Sequence, residues 1–413
     1  MRARRRRHQL PERTTVIART HWKAAIAALL LGVVAAIYIG KLPPAIPALR
    51  QEFSLSLAQA GWLVSAFNTL GVLASIFMGL FTARVGAFRL CMGGLAFLAI
   101  GGLLGALAQD AFWLIASRLL EGVGSLSIAV AAPGLIMQST VAADRKRVLS
   151  FWGGYMPTGT TLGMLLAPLL IANLGWRALW LATVLCALAA MLLIYSLRDQ
   201  YDAPAGAAGG TWQASAGPLT APGPCLIALA FACYAFNYYA IMVWLPTFMV
   251  GERQTPLGIA AVLTALMVAA NIPGNLLGGV LLQRGLARGS NICLAGIATA
   301  LTCLVVFSPG LPDWARYLGC VAFSFSVGIL PGSVMSAAQT HARNPAQVGT
   351  VQGMINQGSN MGQFLSPLLV TAIVGASLAW DRMLYLLLAT SAVIVASGLA
   401  IRVIERRIES ATA

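Results

Sequence analysis

The sequence predicts an all-α integral membrane protein with twelve transmembrane helices in two pseudo-symmetric six-helix bundles. Three observations carry this. Of 413 residues, 59% are hydrophobic and only 9% are charged, whereas a soluble domain carries about 25% charged residues. The apolar residues gather into runs of about 18 or more, the length a helix needs to cross a bilayer. A glycine, proline and tryptophan pattern occurs twice, about 200 residues apart. Its first copy runs from Gly163 through Ala167-Pro168 to Gly175-Trp176-Arg177; its second runs from Gly362 through Ser366-Pro367 to Trp380-Asp381-Arg382. Two similar membrane halves are the usual plan of a secondary transporter, with the solute site between them.

The elements follow in chain order. Residues 1–23 form a basic tail with Arg2, Arg4, Arg5, Arg6, Arg7, Arg13, Arg19 and Lys23. Span one, 24–42, ends in Leu42-Pro43-Pro44; eleven spans follow, so it is read as an uncleaved helix rather than a signal peptide. Span two is 58–82 and carries Asn68, span three is 89–108, and span four is 111–140 with Arg118 and Glu121. Span five, 149–172, holds Tyr155, Gly159, Gly163 and Pro168; span six is 176–197. These spans make an N-terminal bundle over 24–198. Residues 199–224 are dense in Gly, Pro and Ala and read as a flexible cytoplasmic linker. Span seven, 225–249, clusters Asn237, Tyr238 and Tyr239, and span eight, 257–282, is interrupted by Asn271, Pro273 and Asn275. Spans nine, ten and twelve are 291–308, 315–338 and 383–403. Span eleven, 348–374, places Asn356, Gln357, Asn360 and Gln363 at near-helical spacing. The C-terminal bundle is therefore 225–403, with a tail at 404–413.

The net charge of +15 raises the prospect of nucleic-acid binding, and charge placement argues against it. Twenty of the 27 basic residues fall in the two tails, the linker side and the even-numbered loops. Arg50, Arg177, Arg253, Arg316 and Arg382 occupy the other loops. This is the positive-inside bias of a chain with both ends in the cytoplasm. The arginine tail is read as a topology determinant that touches anionic lipid headgroups, because no folded basic domain follows it. The seven cysteines make no close pair and read as small apolar fillers; no metal or cofactor site is expected.

Several motifs resemble those of the major facilitator superfamily. Gly79-Leu-Phe-Thr-Ala83-Arg84-Val-Gly86-Ala-Phe-Arg89 looks like the family's signature loop after span two, with Ala83 in place of its acid. Gly279 to Gly285 is the matching loop after span eight, also without the acid. Arg118-Leu-Leu-Glu121-Gly122-Val-Gly124 is similar to the span-four motif, and Gly159 to Pro168 partly resembles the span-five motif associated with antiporters. Phe151 to Gly159 and Val243-Trp-Leu-Pro246-Thr247 resemble the cyanate and nitroimidazole transporter branch. The resemblance implies the major facilitator fold and transport by alternating access. It also implies conformational roles for Gly79, Arg84, Gly86 and Arg89 in the loop, and for Gly163, Pro168, Gly362 and Pro367 in the repeated motif.

The residues themselves give reasons. Small residues four apart let helix backbones approach closely, and a proline removes a backbone bond and permits a bend. Such a seam is either static packing or a place where helices rock; its duplication favours rocking. Of twelve acids only Glu121 lies inside a span, and an ionisable group there is a functional candidate by default. Arg118, three residues earlier, shares its face. The pair is either a structural ion pair, with Arg118 capping carbonyls of span one, or a proton-exchanging carboxylate tuned by an arginine. Tyr38, Lys41, Asn68, Tyr155, Asn237, Tyr238, Asn271, Gln357 and Asn360 are candidate solute contacts, although Asn and Gln also serve as glue between helices. Lys41 either snorkels to the outer interface or faces the cavity with Arg118, which favours an anion.

One membrane carboxylate is too little for a catalytic constellation, so no enzyme is expected. No nucleotide-binding glycine loop appears and no channel filter motif. The reading is a secondary active transporter, a monomer in the bacterial cytoplasmic membrane, taking a small-molecule solute and protons. The span-five motif and the acid beside an arginine point to proton antiport, hence export of a drug, metabolite or siderophore-like compound. The branch resemblance and Lys41 point instead to uptake of a small anion. A transporter-like membrane sensor is the alternative of another class.

Overall fold

A computed structural model describes residues 19–201, 217–334, 336–342, 345–375 and 377–412. The basic residues from Arg2 to Arg13, most of the linker and Arg343 lie outside the described residues. Span one is α1 (Trp22–Gly40) followed by α2 (Leu42–Glu52); span two is α3 (Leu57–Ala66) followed by α4 (Thr69–Val85). Spans three and four are α5 (Ala87–Ala106) and α6 (Ala111–Ser139). A short α7 (Ala142–Trp152) leads into α8 (Tyr155–Leu174), span five, and α9 (Trp176–Ser196) is span six. In the second half α10 (Pro222–Arg253) is span seven, while α11 (Leu257–Ala269) and α12 (Asn271–Gln283) form span eight. Spans nine and ten are α13 (Arg288–Val306) and α14 (Asp313–Val334). A short α15 (Ala337–His341) precedes α16 (Pro345–Val374), and α17 (Met383–Thr412) is span twelve.

Eleven of these crossings are long and apolar enough to span a membrane by length and composition among the described residues. The twelfth, α16, has 30 residues, about 45 Å at 1.5 Å per residue. Its asparagines and glutamines lower its hydropathy, and they do so because this helix lines the middle of the protein. Two element bounds differ from expectation. Span five starts late because the chain breaks at Gly153-Gly154, which sets α7 apart. The expected C-terminal tail is not separate, since α17 continues through it to Thr412. There Glu405 reaches buried Arg288 and lies 3.0 Å from His341 Nε2.

The repeat expected from sequence has a packing basis. A Cβ on Gly159 would lie 2.2 Å from the Val33 carbonyl, and one on Gly163 would lie 2.6 Å from that of Ile37. In the second half Gly358 meets the Ala228 carbonyl at 2.3 Å and Gly362 that of Ala232 at 2.0 Å. So α8 lies backbone to backbone on α1, and α16 does the same on α10. Pro168 and Pro367 follow inside these helices. These seams lie within each half and hold its helices together; they are not seams between halves. The loop glycines Gly86 and Gly285 both have φ of 90°, a conformation that costs glycine nothing. Each of these pairs is separated by one and the same interval. Arg84 and Arg89 are exposed, and neither pairs with a carboxylate among the described residues.

The halves meet where α16 passes α3 and α4, where α8 passes α11, and where α2 passes α10. At the end opposite the termini Ser65 Oγ donates to the Phe364 carbonyl at 2.7 Å. A Cβ on Gly61 would lie 3.1 Å from the Pro367 carbonyl. One buried apolar cluster joins Leu42, Ile46 and Leu63 of the first half to Val243 and Trp244 of the second; another is confined to the first half. Leu169, Leu174, Leu185 and Leu192 point outward, as side chains facing lipid do.

Candidate functional site

Gly40 is where the site begins. A Cβ there would lie 2.1 Å from the Thr160 carbonyl, so α1 presses on α8 just before the chain breaks at Lys41. Pro43 and Pro44 then start α2. This turns Lys41 into the first bundle, where it is fully buried, and it does not snorkel. Its ammonium donates to Glu121 Oε1 at 2.7 Å and to Thr183 Oγ1 at 3.1 Å. It also stands 4.2 Å from the Tyr38 ring centroid and 4.4 Å from that of Trp180. Such contacts with aromatic faces favour a cation.

Glycines on α5 make room for this cluster. A Cβ at Gly101 would lie 2.9 Å from Glu121 Cγ, and one at Gly105 would lie 2.4 Å from Trp180 Nε1. Arg118 Nη1 bonds to Glu121 Oε2 and donates to the Tyr38 carbonyl at 3.0 Å. That carbonyl belongs to span one, where the structural reading of Arg118 put its partner. The guanidinium lies 4.4 Å from the Phe67 ring centroid. Two cations thus share one carboxylate, and the cluster carries a net positive charge with Glu121 ionised. At the same interval the second half has Tyr317 and Cys320 in place of Arg118 and Glu121, and the matching seam contacts of Val33 with Ala228 and Ile37 with Ala232 put Phe236 opposite Lys41. The charge is one-sided.

A central cavity of about 90 Å³ lies between the halves. Asn68, Gly71, Ser125 and Tyr155 line it from the first half, and Asn356, Ser359, Asn360 and Gln363 from the second. Asn360 Nδ2 reaches Ser75 Oγ across the seam at 3.3 Å. A small void of about 10 Å³ continues from this cavity. The two share Ile39, Phe67 and Asn68, and the void adds Arg118 and Tyr239. Arg118 Nε, Asn68 Nδ2 and the Tyr239 hydroxyl are all buried and make no hydrogen bond of good geometry among the described residues, although the Tyr239 hydroxyl and the Asn68 side chain are neighbours. Three such donors on one void suit an oxyanion, since burying a donor without an acceptor is costly.

The expected solute contacts divide. Asn68, Tyr155 and Asn360 are on the cavity wall, and Tyr155 stacks on Trp152 at 4.3 Å. Others bond helices instead. Tyr38 donates its hydroxyl to the Thr183 carbonyl at 2.9 Å. Asn237 accepts from Thr390 at 2.5 Å and donates to Ser391 at 3.3 Å. Asn271 donates to the Ser324 carbonyl at 3.1 Å. Tyr238 is buried beside Tyr234, and Gln357 is half-buried outside the lining. Sequence reading passed over Ser125, Ser359 and the role of Thr183. Tyr239 stood next to the chosen Tyr238, and one helical step decides which of them faces the void.

The family model of the Major Facilitator Superfamily matches residues 25–367. A putative niacin/nicotinamide transporter NiaP of Bacillus subtilis is 24% identical over 361 residues, covering 83% of this chain and 86% of that protein. A cis,cis-muconate transport protein of Acinetobacter baylyi is 26% identical, covering 77% and 79%. The 3-(3-hydroxy-phenyl)propionate transporter of Escherichia coli is 30% identical over 57% of this chain and 59% of its own. A bacterial homologue of the human lysosomal transporter Spinster, solved inward-facing and unoccupied, superposes with a TM-score of 0.71. That likeness covers 94% of this chain and 97% of the other at 16% identity, and it speaks for the fold. These relatives and this fold are those of membrane transporters rather than enzymes, and the chain belongs to the Major Facilitator Superfamily.

Proposed function

We propose that the protein takes up a small organic anion by alternating access, with the anionic group docking between Arg118, Asn68 and Tyr239. It works as a monomer in the cytoplasmic membrane, both termini in the cytoplasm. The observation that carries this is the set of three buried donors without a well-formed hydrogen bond beside a cluster of two cations and one carboxylate. A carboxylate arriving there balances the remaining positive charge, which lowers the cost of closing the site away from water. Two of these relatives are named for carboxylic acids, 3-(3-hydroxy-phenyl)propionate and cis,cis-muconate, and the third for niacin, an acid, together with its neutral amide nicotinamide.

The same geometry supports a coupling step. Solute and Glu121 compete for Arg118. When the solute carboxylate draws the guanidinium away, Glu121 loses one of its two cations and takes a proton in compensation. Anion and proton then travel together, and an inward proton gradient drives uptake. Export, toward which the span-five motif pointed, has less support, because Gly159, Gly163 and Pro168 pack α8 on α1 inside one half. The test is transport of matched pairs by proteoliposomes: nicotinate against nicotinamide, benzoate against benzamide. At least one acid should be taken up while its amide is not. Equal handling of acid and amide in every pair would overturn the anionic reading.

A further inference from the structure

A cavity of about 190 Å³, larger than the central one, lies away from it. It lies inside the second half, at the end opposite the termini, between α10, α13, α14 and the turn at Trp380–Arg382. Its origin is legible in the repeat. Tyr317 and Cys320, which stand one repeat interval of sequence after Arg118 and Glu121, both line it. The first half sets a charged pair at these positions; the second half sets a tyrosine and a cysteine beside a cavity.

The hole is a built one. Trp244, Phe248 and Trp380 form its walls, with Trp244 and Trp380 ring centroids 6.2 Å apart and Phe248 edge-on to Trp380 at 6.0 Å. Trp244 is 1% exposed and Trp380 8%. The indole N–H of each is buried with no acceptor among the described residues. Indole offers a donor and no acceptor, so an occupant must accept. At the mouth stand Arg253, Arg316, Asp313 and Asp381. Asp313 pairs with Arg253 at 3.2 Å, and its side chain is 66% exposed, so the mouth meets water. Two cations and two acids leave no net charge, and a charged occupant would find no counter-ion inside. In size, an engineered apolar cavity of about 150 Å³ holds benzene.

We propose that this cavity is a second binding site, for a neutral single-ring aromatic molecule carrying a hydrogen-bond acceptor that meets Trp244 or Trp380. It shares no lining residue with the central cavity. The site is therefore separate from the proposed anion path and stands or falls independently of it.

The test uses the full chain labelled with 5-fluorotryptophan and read by fluorine NMR. The ten tryptophans give the signals, and Trp244→Phe and Trp380→Phe assign the two that matter while keeping aromatic walls. The probes are acetophenone and ethylbenzene, alike in shape, of which only the first has an acceptor. Acetophenone should shift the Trp244 and Trp380 signals saturably, and ethylbenzene should bind about five- to tenfold more weakly, the worth of a lost hydrogen bond. At least one Trp→Phe variant should erase that preference. If one variant fails to fold, the other carries the same comparison. Signals that do not move, that move equally with both probes, or that move at all ten tryptophans alike would overturn the site.

Discussion

Lys41 Nζ lies 2.7 Å from Glu121 Oε1 across 80 residues of sequence, and neither side chain has any solvent exposure. The contact joins the break in span one to the middle of span four. It makes Glu121 the meeting point of two buried cations, since Arg118 holds its other oxygen.

The first expectation concerns stability. Glu121→Gln strands two buried cations, and breaking a buried pair costs about 3–5 kcal/mol. Lys41→Met together with Glu121→Gln removes one charge of each sign and keeps the volume. Thermal unfolding in detergent should show the single variant much less stable than wild type and the double variant recovering most of the loss. Equal instability of both would mean that charge pairing is not what holds this cluster.

The second concerns the donors. Tyr239→Phe and Asn68→Ala each remove one donor from the void without touching the ion pairs. Each should raise KM for a transported acid about ten- to hundredfold, as one hydrogen bond to a charged group implies. Arg118→Lys, which loses the planar fork, should impair transport more than either. Unchanged KM in both of the first two would move the solute elsewhere in the cavity.

The third concerns the repeated seam. Gly362→Val should abolish the folded protein or cost about 3 kcal/mol or more, because its Cβ would lie 2.0 Å from the Ala232 carbonyl. Gly279→Ala, with open space around its Cβ, should be tolerated. Expression and monodispersity on size exclusion compare the two.

The fourth concerns orientation. Reporter fusions after Gln200 and at Thr412 should both read cytoplasmic, as the basic residues place them. A periplasmic reading at either one would overturn the topology.

Much of the fold was legible because membrane helices announce themselves through length and apolarity. The duplicated Gly163-Pro168 and Gly362-Pro367 motif marks real backbone contacts. Helix α16 shows the limit of hydropathy, because the residues that line the cavity are the ones that dilute its apolar signal. The site was less legible. Glu121 and Arg118 stand out in sequence as charges inside an apolar run. The inward turn of Lys41 depends on Gly40 meeting Thr160, a long-range contact no local pattern encodes. Asn237 and Asn271 look like Asn68 in sequence, yet they bond neighbouring helices while Asn68 faces the void. Glu405 and His341 sat beyond the expected spans, and their pairing needed the extension of α17.

The most direct measurement is acid accumulation by proteoliposomes under an imposed inward proton gradient, compared with exchange of the same acid at equal concentrations on both sides. Wild-type protein should do both. The double variant Lys41→Met with Glu121→Gln, folded but without the Glu121 carboxylate, should exchange acid and fail to concentrate it. If that variant still concentrates acid with an unchanged dependence on the proton gradient, Glu121 does not carry the proton, and the competition between solute and Glu121 for Arg118 is not the coupling step.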